Sequence, residues 1–113
     1  LSAMQGKNFI GGMWQPARSG KTFEDLSPSD PADVVGRFPA SDTADVAEAV
    51  AAAKKAYETW RLVPAPKRGE LLFRVARLIA ERKESWALEM SREMGKTLTE
   101  ARGDVQEAVD MAY

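Results

Sequence analysis

The apolar positions of this chain fall into two regimes. Up to about residue 40 they come in short runs broken by Gly and Pro, and beyond it they recur at helical spacing. Residues 8–14, Asn-Phe-Ile-Gly-Gly-Met-Trp, predict two strand fragments around a tight turn or bulge, because glycine tolerates positive φ. Pro16 and Ser19-Gly20-Lys21 mark another turn. Residues 22–27 alternate well enough for a second strand, stopped by Pro28 and Pro31, and Val34 to Phe38 is a third. Together these predict a small antiparallel meander over 1–40.

From Ser41 the pattern is helical to the end, which makes 41–113 a separate helical part. Asp42 stands where an N-cap belongs, with Asp45 placed to complement the first-turn N–H groups. Val46, Ala49, Val50, Ala53, Tyr57 and Trp60 then form one apolar stripe. Pro64 and Pro66 end this helix, and Pro66 suits the first turn of the next. Leu71, Leu72, Val75, Leu78 and Ile79 make a second stripe. The polar run Glu81-Arg82-Lys83-Glu84 carries a break, after which Trp86, Met90 and Met94 continue a third. Gly95 falls where a left-handed residue would close that helix. Leu98, Ala101, Val105, Ala108, Val109 and Ala112 make a fourth stripe, still running at Tyr113 with no Gly, Asn or Pro to stop it. Domain boundaries normally lie in polar linkers, so the expectation is a piece of a longer protein, cut within its last helix.

Composition narrows the chemistry more than the fold. With 113 residues, 44% of them hydrophobic and 29% charged, the chain reads as globular, with a core of modest size. A formal net charge of −1 gives no electrostatic reason for a nucleic acid or an anionic membrane as partner. No apolar run is long enough for a bilayer and no secretory segment opens the chain, so the cytoplasm is the default location. The absence of cysteine removes thiolate ligands and the thiol nucleophile, and the absence of histidine removes the commonest general base.

Several motifs invite sharper readings and fail them. Gly11-Gly12 lacks the third glycine and the following helix of a phosphate loop, which leaves a turn. Gly95-Lys96-Thr97 ends like a P-loop, but the upstream glycine that pattern requires falls on Met90; a helix cap with a dipole-compensating lysine explains it better. Glu81, Glu84, Glu89 and Glu93 alternate with Arg82, Lys83 and Arg92, as on a solvated helix face. Trp14, Trp60 and Trp86, with Met90, Met94 and Met111, are most often core at this spacing, or exposed where a covering domain is missing.

Six words in order carry a resemblance. They are Phe9-Ile10-Gly11-Gly12-Met13-Trp14, Ser19-Gly20-Lys21-Thr22-Phe23, Ser27-Pro28, the Asp42 to Trp60 helix, Ala65-Pro66-Lys67-Arg68 leading into Leu71-Leu72, and Glu93-Met94-Gly95-Lys96 followed by Glu100-Ala101-Arg102-Gly103-Asp104-Val105. None is specific alone. In register across nearly the whole chain, they resemble the N-terminal region of the aldehyde dehydrogenase superfamily. The second half, through Gln106-Glu107, is most similar to branches that oxidise semialdehydes.

The resemblance implies an α+β fragment of an α/β enzyme, a short β-meander followed by about four amphipathic helices that pack on the parent's cofactor-binding domain. It implies oxidation of an aldehyde to a carboxylic acid with NAD or NADP, through a cysteine nucleophile, an oxyanion held by N–H groups and a glutamate that activates water. Those residues lie downstream of the matched region, so no catalytic or cofactor-binding residue is assigned here and the chain alone is expected to be inactive and to bind no cofactor. The parent would be a homo-oligomer, and the isolated piece would self-associate. One set of ligands carries over: some members hold a structural monovalent cation with backbone carbonyls and a helix carboxylate, and the matching positions are Asp25, Leu26 and Asp104, although Asp104 also reads as an ordinary solvated or capping acid. The competing expectation is a stand-alone helical interaction module, or a truncated relic, without enzymatic activity.

Overall fold

A computed structural model describes residues 1–113, which divide into two units: Leu1–Leu26 with Pro31–Leu62, and Ser27–Asp30 with Val63–Tyr113.

In the first unit, β1 (Met4–Gln5) precedes a hairpin of β2 (Asn8–Ile10) and β3 (Met13–Gln15). The two-residue turn, Gly11 and Gly12, has φ of 61° and 82°; positive values at both positions belong to a type I′ hairpin and explain the glycine pair. Across the hairpin the Phe9 and Trp14 rings sit 4.8 Å apart. β4 (Thr22–Leu26) runs antiparallel to β5 (Val34–Pro39), and the Glu24–Arg37 pair is closed by a 2.8 Å ion pair. The ladder slips between Asp25, opposite Gly36, and Leu26, opposite Val34; the extra residue, Val35, is fully buried.

The strands do not form one antiparallel meander. β1 joins β5 in parallel, giving a three-stranded sheet β1-β5-β4 beside the separate β2-β3 hairpin. Side-chain alternation says which face a residue takes and nothing about which strand it pairs with. The Phe38 ring explains the glycines at the seam: a Cβ on Gly36 would stand 2.9 Å from it, and one on Gly6 would overlap it outright.

Helix α1 (Thr43–Trp60) starts with the expected capping box. Asp42 Oδ1 accepts the N–H groups of Ala44 (2.9 Å) and Asp45 (3.2 Å), and Asp45 Oδ2 accepts the Asp42 N–H at 2.9 Å. Asp45 also ties the helix to the loop between β3 and β4, since its Oδ1 accepts the Arg18 N–H at 2.8 Å. These bonds, that from Asp42 foremost, lower the pKa of the buried carboxyl. The apolar stripe of α1 packs little within its unit: Val46, Val50, Tyr57 and Trp60 are all exposed.

The second unit holds α2 (Ala65–Glu81), α3 (Lys83–Met94) and α4 (Leu98–Ala112). Pro66 lies in the first turn of α2, and Arg82 alone separates α2 from α3. α4 packs on both other helices, through a core built mostly of small residues. Ala76, Ala87, Ala101, Val105 and Val109 are buried, and Ile79, Met90 and Leu98 pack against the cluster of Ala87, Ala101 and Val105. At the rim, Arg102 Nη2 reaches Glu84 Oε2 at 2.9 Å and Lys83 Nζ reaches Gln106 Oε1 at 2.8 Å. The outer face of α2, with Leu71, Leu72, Phe73, Val75 and Leu78, is exposed. No helix is long and apolar enough to cross a membrane.

Candidate functional site

The best-organised polar constellation lies where α3 gives way to α4. Gly95 stops α3 in the left-handed conformation at φ 75°, with its N–H on the Ser91 carbonyl at 2.9 Å. Ser91 Oγ donates to the Lys96 carbonyl at 2.7 Å, which fixes the backbone of the turn. Thr97 opens α4 with a second capping box: its Oγ1 accepts the Glu100 N–H at 3.3 Å, and Glu100 Oε2 accepts the Thr97 hydroxyl at 2.9 Å. Both backbone neighbours of Lys96 are thereby constrained.

From that position the Lys96 side chain follows α4 and donates through Nζ to Asp104 Oδ2. The pair is partly sheltered, with side-chain exposures of 25% for Lys96 and 43% for Asp104. The hydrogen bond to Asp104 raises the lysine pKa above its ordinary range, with Glu100 adding to the effect. Chemically, this makes Lys96 a fixed cation at neutral pH. A lysine held protonated is neither a nucleophile nor a base.

Of the positions nominated from the sequence, Asp25 and Leu26 are neighbours on β4 in the first unit, at the slip in the β4–β5 ladder. Asp104 belongs to α4 in the second unit and is engaged by Lys96. The sequence reading assigned Lys96 to the α3 dipole and did not find this partner. The two residues flank a helix start and lie eight positions apart, a separation that no helical spacing rule covers. The larger depressions hold no nucleophile–base pair: one of about 580 Å³ is lined by Met4, Gln5, Gly6, Lys7, Trp14 and Phe38, another of about 460 Å³ by Glu70, Phe73, Arg74, Arg77 and Tyr113.

Strands, helices and caps in this order match the N-terminal segment of the aldehyde dehydrogenase fold. The sequence model of the aldehyde dehydrogenase family matches residues 14–113, and the chain belongs to that family. It is 38% identical over 107 residues to an alpha-ketoglutarate semialdehyde dehydrogenase of Haloferax volcanii, covering 95% of this chain and 22% of that protein. It is 40% identical over 104 residues to malonate-semialdehyde dehydrogenase 2 of Geobacillus kaustophilus, covering 92% and 21%. Among solved structures, it superposes on an NAD-dependent aldehyde dehydrogenase from Sinorhizobium meliloti with a TM-score of 0.94 and 35% identity, over 98% of this chain and 22% of that one. The chain thus spans about a fifth of the length of the relatives it matches.

Proposed function

We propose that the chain is the N-terminal part of a dehydrogenase that oxidises a semialdehyde to the corresponding carboxylic acid with NAD⁺ or NADP⁺. The observation that carries this reading is the pair of curated relatives at 38% and 40% identity, both of which bear semialdehyde dehydrogenase names. An aldehyde that carries a second, carboxylate-bearing end is therefore the substrate class.

The residues present do not fit a dinucleotide site. Gly11-Gly12 is a hairpin turn, and at the start of α4 the capping box takes the Glu100 N–H on Thr97 Oγ1 and the Thr97 N–H on Glu100 Oε2, where a phosphate would compete. The sequence contains no cysteine. Cofactor binding and chemistry belong to the remaining length of the enzyme, and the part described here is a scaffold for it. That role accounts for the apolar faces of α1 and α2, which pack against the remainder and in the isolated piece promote self-association.

The test has two arms. The full-length protein should form reduced nicotinamide with malonic, succinic or α-ketoglutaric semialdehyde faster than with unsubstituted aldehydes of equal length. The 113-residue chain should form none, and should bind a hydrophobic dye and scatter light as an oligomer. A full-length protein indifferent to the second carboxylate would refute the substrate class. Turnover by the short chain, or a clean monomer that ignores the dye, would refute the scaffold role.

A further inference from the structure

The three-stranded sheet of the first unit is open on the side of β1. The Gly6 N–H donates to the Arg37 carbonyl of β5 at 2.8 Å. Successive residues of a strand aim their backbone groups to opposite sides, so the N–H and C=O of Gln5 point away from β5, and β1 stands at the end of the strand order. Parallel pairing is the weaker kind per residue, and a two-residue strand gains most from a neighbour on its second side. The opposite edge, β4, carries Glu24 and Asp25, charges that keep an edge in water; Met4 and Gln5 carry none.

Beside the open edge lies the depression of about 580 Å³. The Phe38 ring fills the place of a Gly6 Cβ, and Trp14, 67% exposed, also lines the hollow. A strand laid along β1 with one residue opposite Gln5 puts a flanking side chain opposite Gly6, on the Phe38 ring. The one charged residue lining the depression is Lys7. We propose that an extended segment from the remaining length of the same polypeptide adds to β1 as a fourth strand, with an apolar side chain over Gly6 and a carboxylate at Lys7; this rests on the scaffold role given above and not on the substrate class. The relatives carry about four fifths of their length outside the part this chain matches. A segment tethered in the same chain meets the edge at millimolar effective concentration, which a dilute second copy does not reach.

The test uses the full-length wild-type protein, so no variant has to fold. Hydrogen exchange at the Gln5 amide, resolved by electron-transfer fragmentation, should run at least about a hundredfold slower than at a free amide, as in a sheet interior. Faster exchange would overturn the proposal. A zero-length carbodiimide cross-linker should join Lys7 to an Asp or Glu outside residues 1–113, in material that runs at the mass of one chain on a denaturing gel. A Lys7 cross-link found only at twice that mass would mean that a second copy lies on the edge, and one found only to carboxylates within residues 1–113, or to none, would mean that the carboxylate is absent; either result overturns the proposal. Semialdehyde turnover by the same sample, and dye binding by the 113-residue chain, succeed or fail independently of these readouts, so a wrong substrate class or scaffold role is told apart from a wrong strand.

Discussion

Alanine in place of glycine should have opposite effects at two positions of the second unit, and the structure sets the size of each. Gly95 closes α3 at φ 75°, where a Cβ costs about 1–2 kcal/mol from the left-handed conformation alone. That Cβ would also stand 2.9 Å from Pro28 Cγ, closer than real contacts allow, and 3.6 Å from Ser29 Oγ. Moving the Pro28 ring aside adds about 1–2 kcal/mol on the scale of overpacked sites. Gly95→Ala should therefore destabilise by about 2–4 kcal/mol. Gly103 lies inside α4 with nothing within 4 Å of its missing Cβ, so Gly103→Ala should stabilise by about 1 kcal/mol through helix propensity. Urea unfolding followed by far-ultraviolet circular dichroism, at one low protein concentration for all three proteins, reads both effects as shifts in midpoint at constant slope. The reasoning fails if Gly95→Ala lies within about 0.5 kcal/mol of wild type, or if Gly103→Ala destabilises comparably.

Other expectations follow from single contacts. Val105, buried in the cluster with Ala87 and Ala101, should cost about 2–3 kcal/mol as Val105→Ala, from two lost methyl groups and an incompletely closed cavity; a loss below about 1 kcal/mol would mean that α4 slides inward to fill the space. The Asp45 carboxyl has a folded-state pKa below its unfolded value of about 3.9, so its contribution is complete above that value and is lost as the pH falls through the lower folded one. Wild type should accordingly lose stability between pH 5 and pH 2 more steeply than Asp45→Asn, and parallel curves would remove Asp45 from the acid response. Arg102→Met breaks the Glu84 ion pair, which is solvent-accessible at both ends; the loss should stay under about 1 kcal/mol and shrink in high salt, and a larger, salt-independent loss would show that the stem packing of Arg102 matters more than its charge.

Elements whose cause is local were legible in the chain itself. The glycine pair of the hairpin, the Asp42 capping box, Pro66 in the first turn of α2 and Gly95 at the end of α3 each act through groups within a few residues of themselves, and each stands where the pattern placed it. The family was legible for the same reason, since its words are these local devices in a fixed order, and the family model covers residues 14–113.

What the chain pattern could not supply was pairing at a distance. Parallel registry of Met4 with Gly36 closes a loop of some thirty residues, and nothing in a two-residue strand advertises its partner. Burial was likewise undetermined: periodicity reports that a helix has an apolar face, not that anything covers it. Trp14, Trp60 and Trp86, read most readily as core, are 67%, 43% and 39% exposed. Lys96 is the sharpest case. As sequence it is a lysine after a helix, favourable to the dipole of α3 and otherwise unremarked. Only the folded turn, with its left-handed glycine and the two side-chain bonds that brace it, aims the ammonium along α4 to Asp104. Caps, turns and stripes are properties of neighbouring residues and can be read from order alone. Partners, exposure and the charge state of a lysine are set by distances between residues far apart in the chain, and those exist only once the chain has folded.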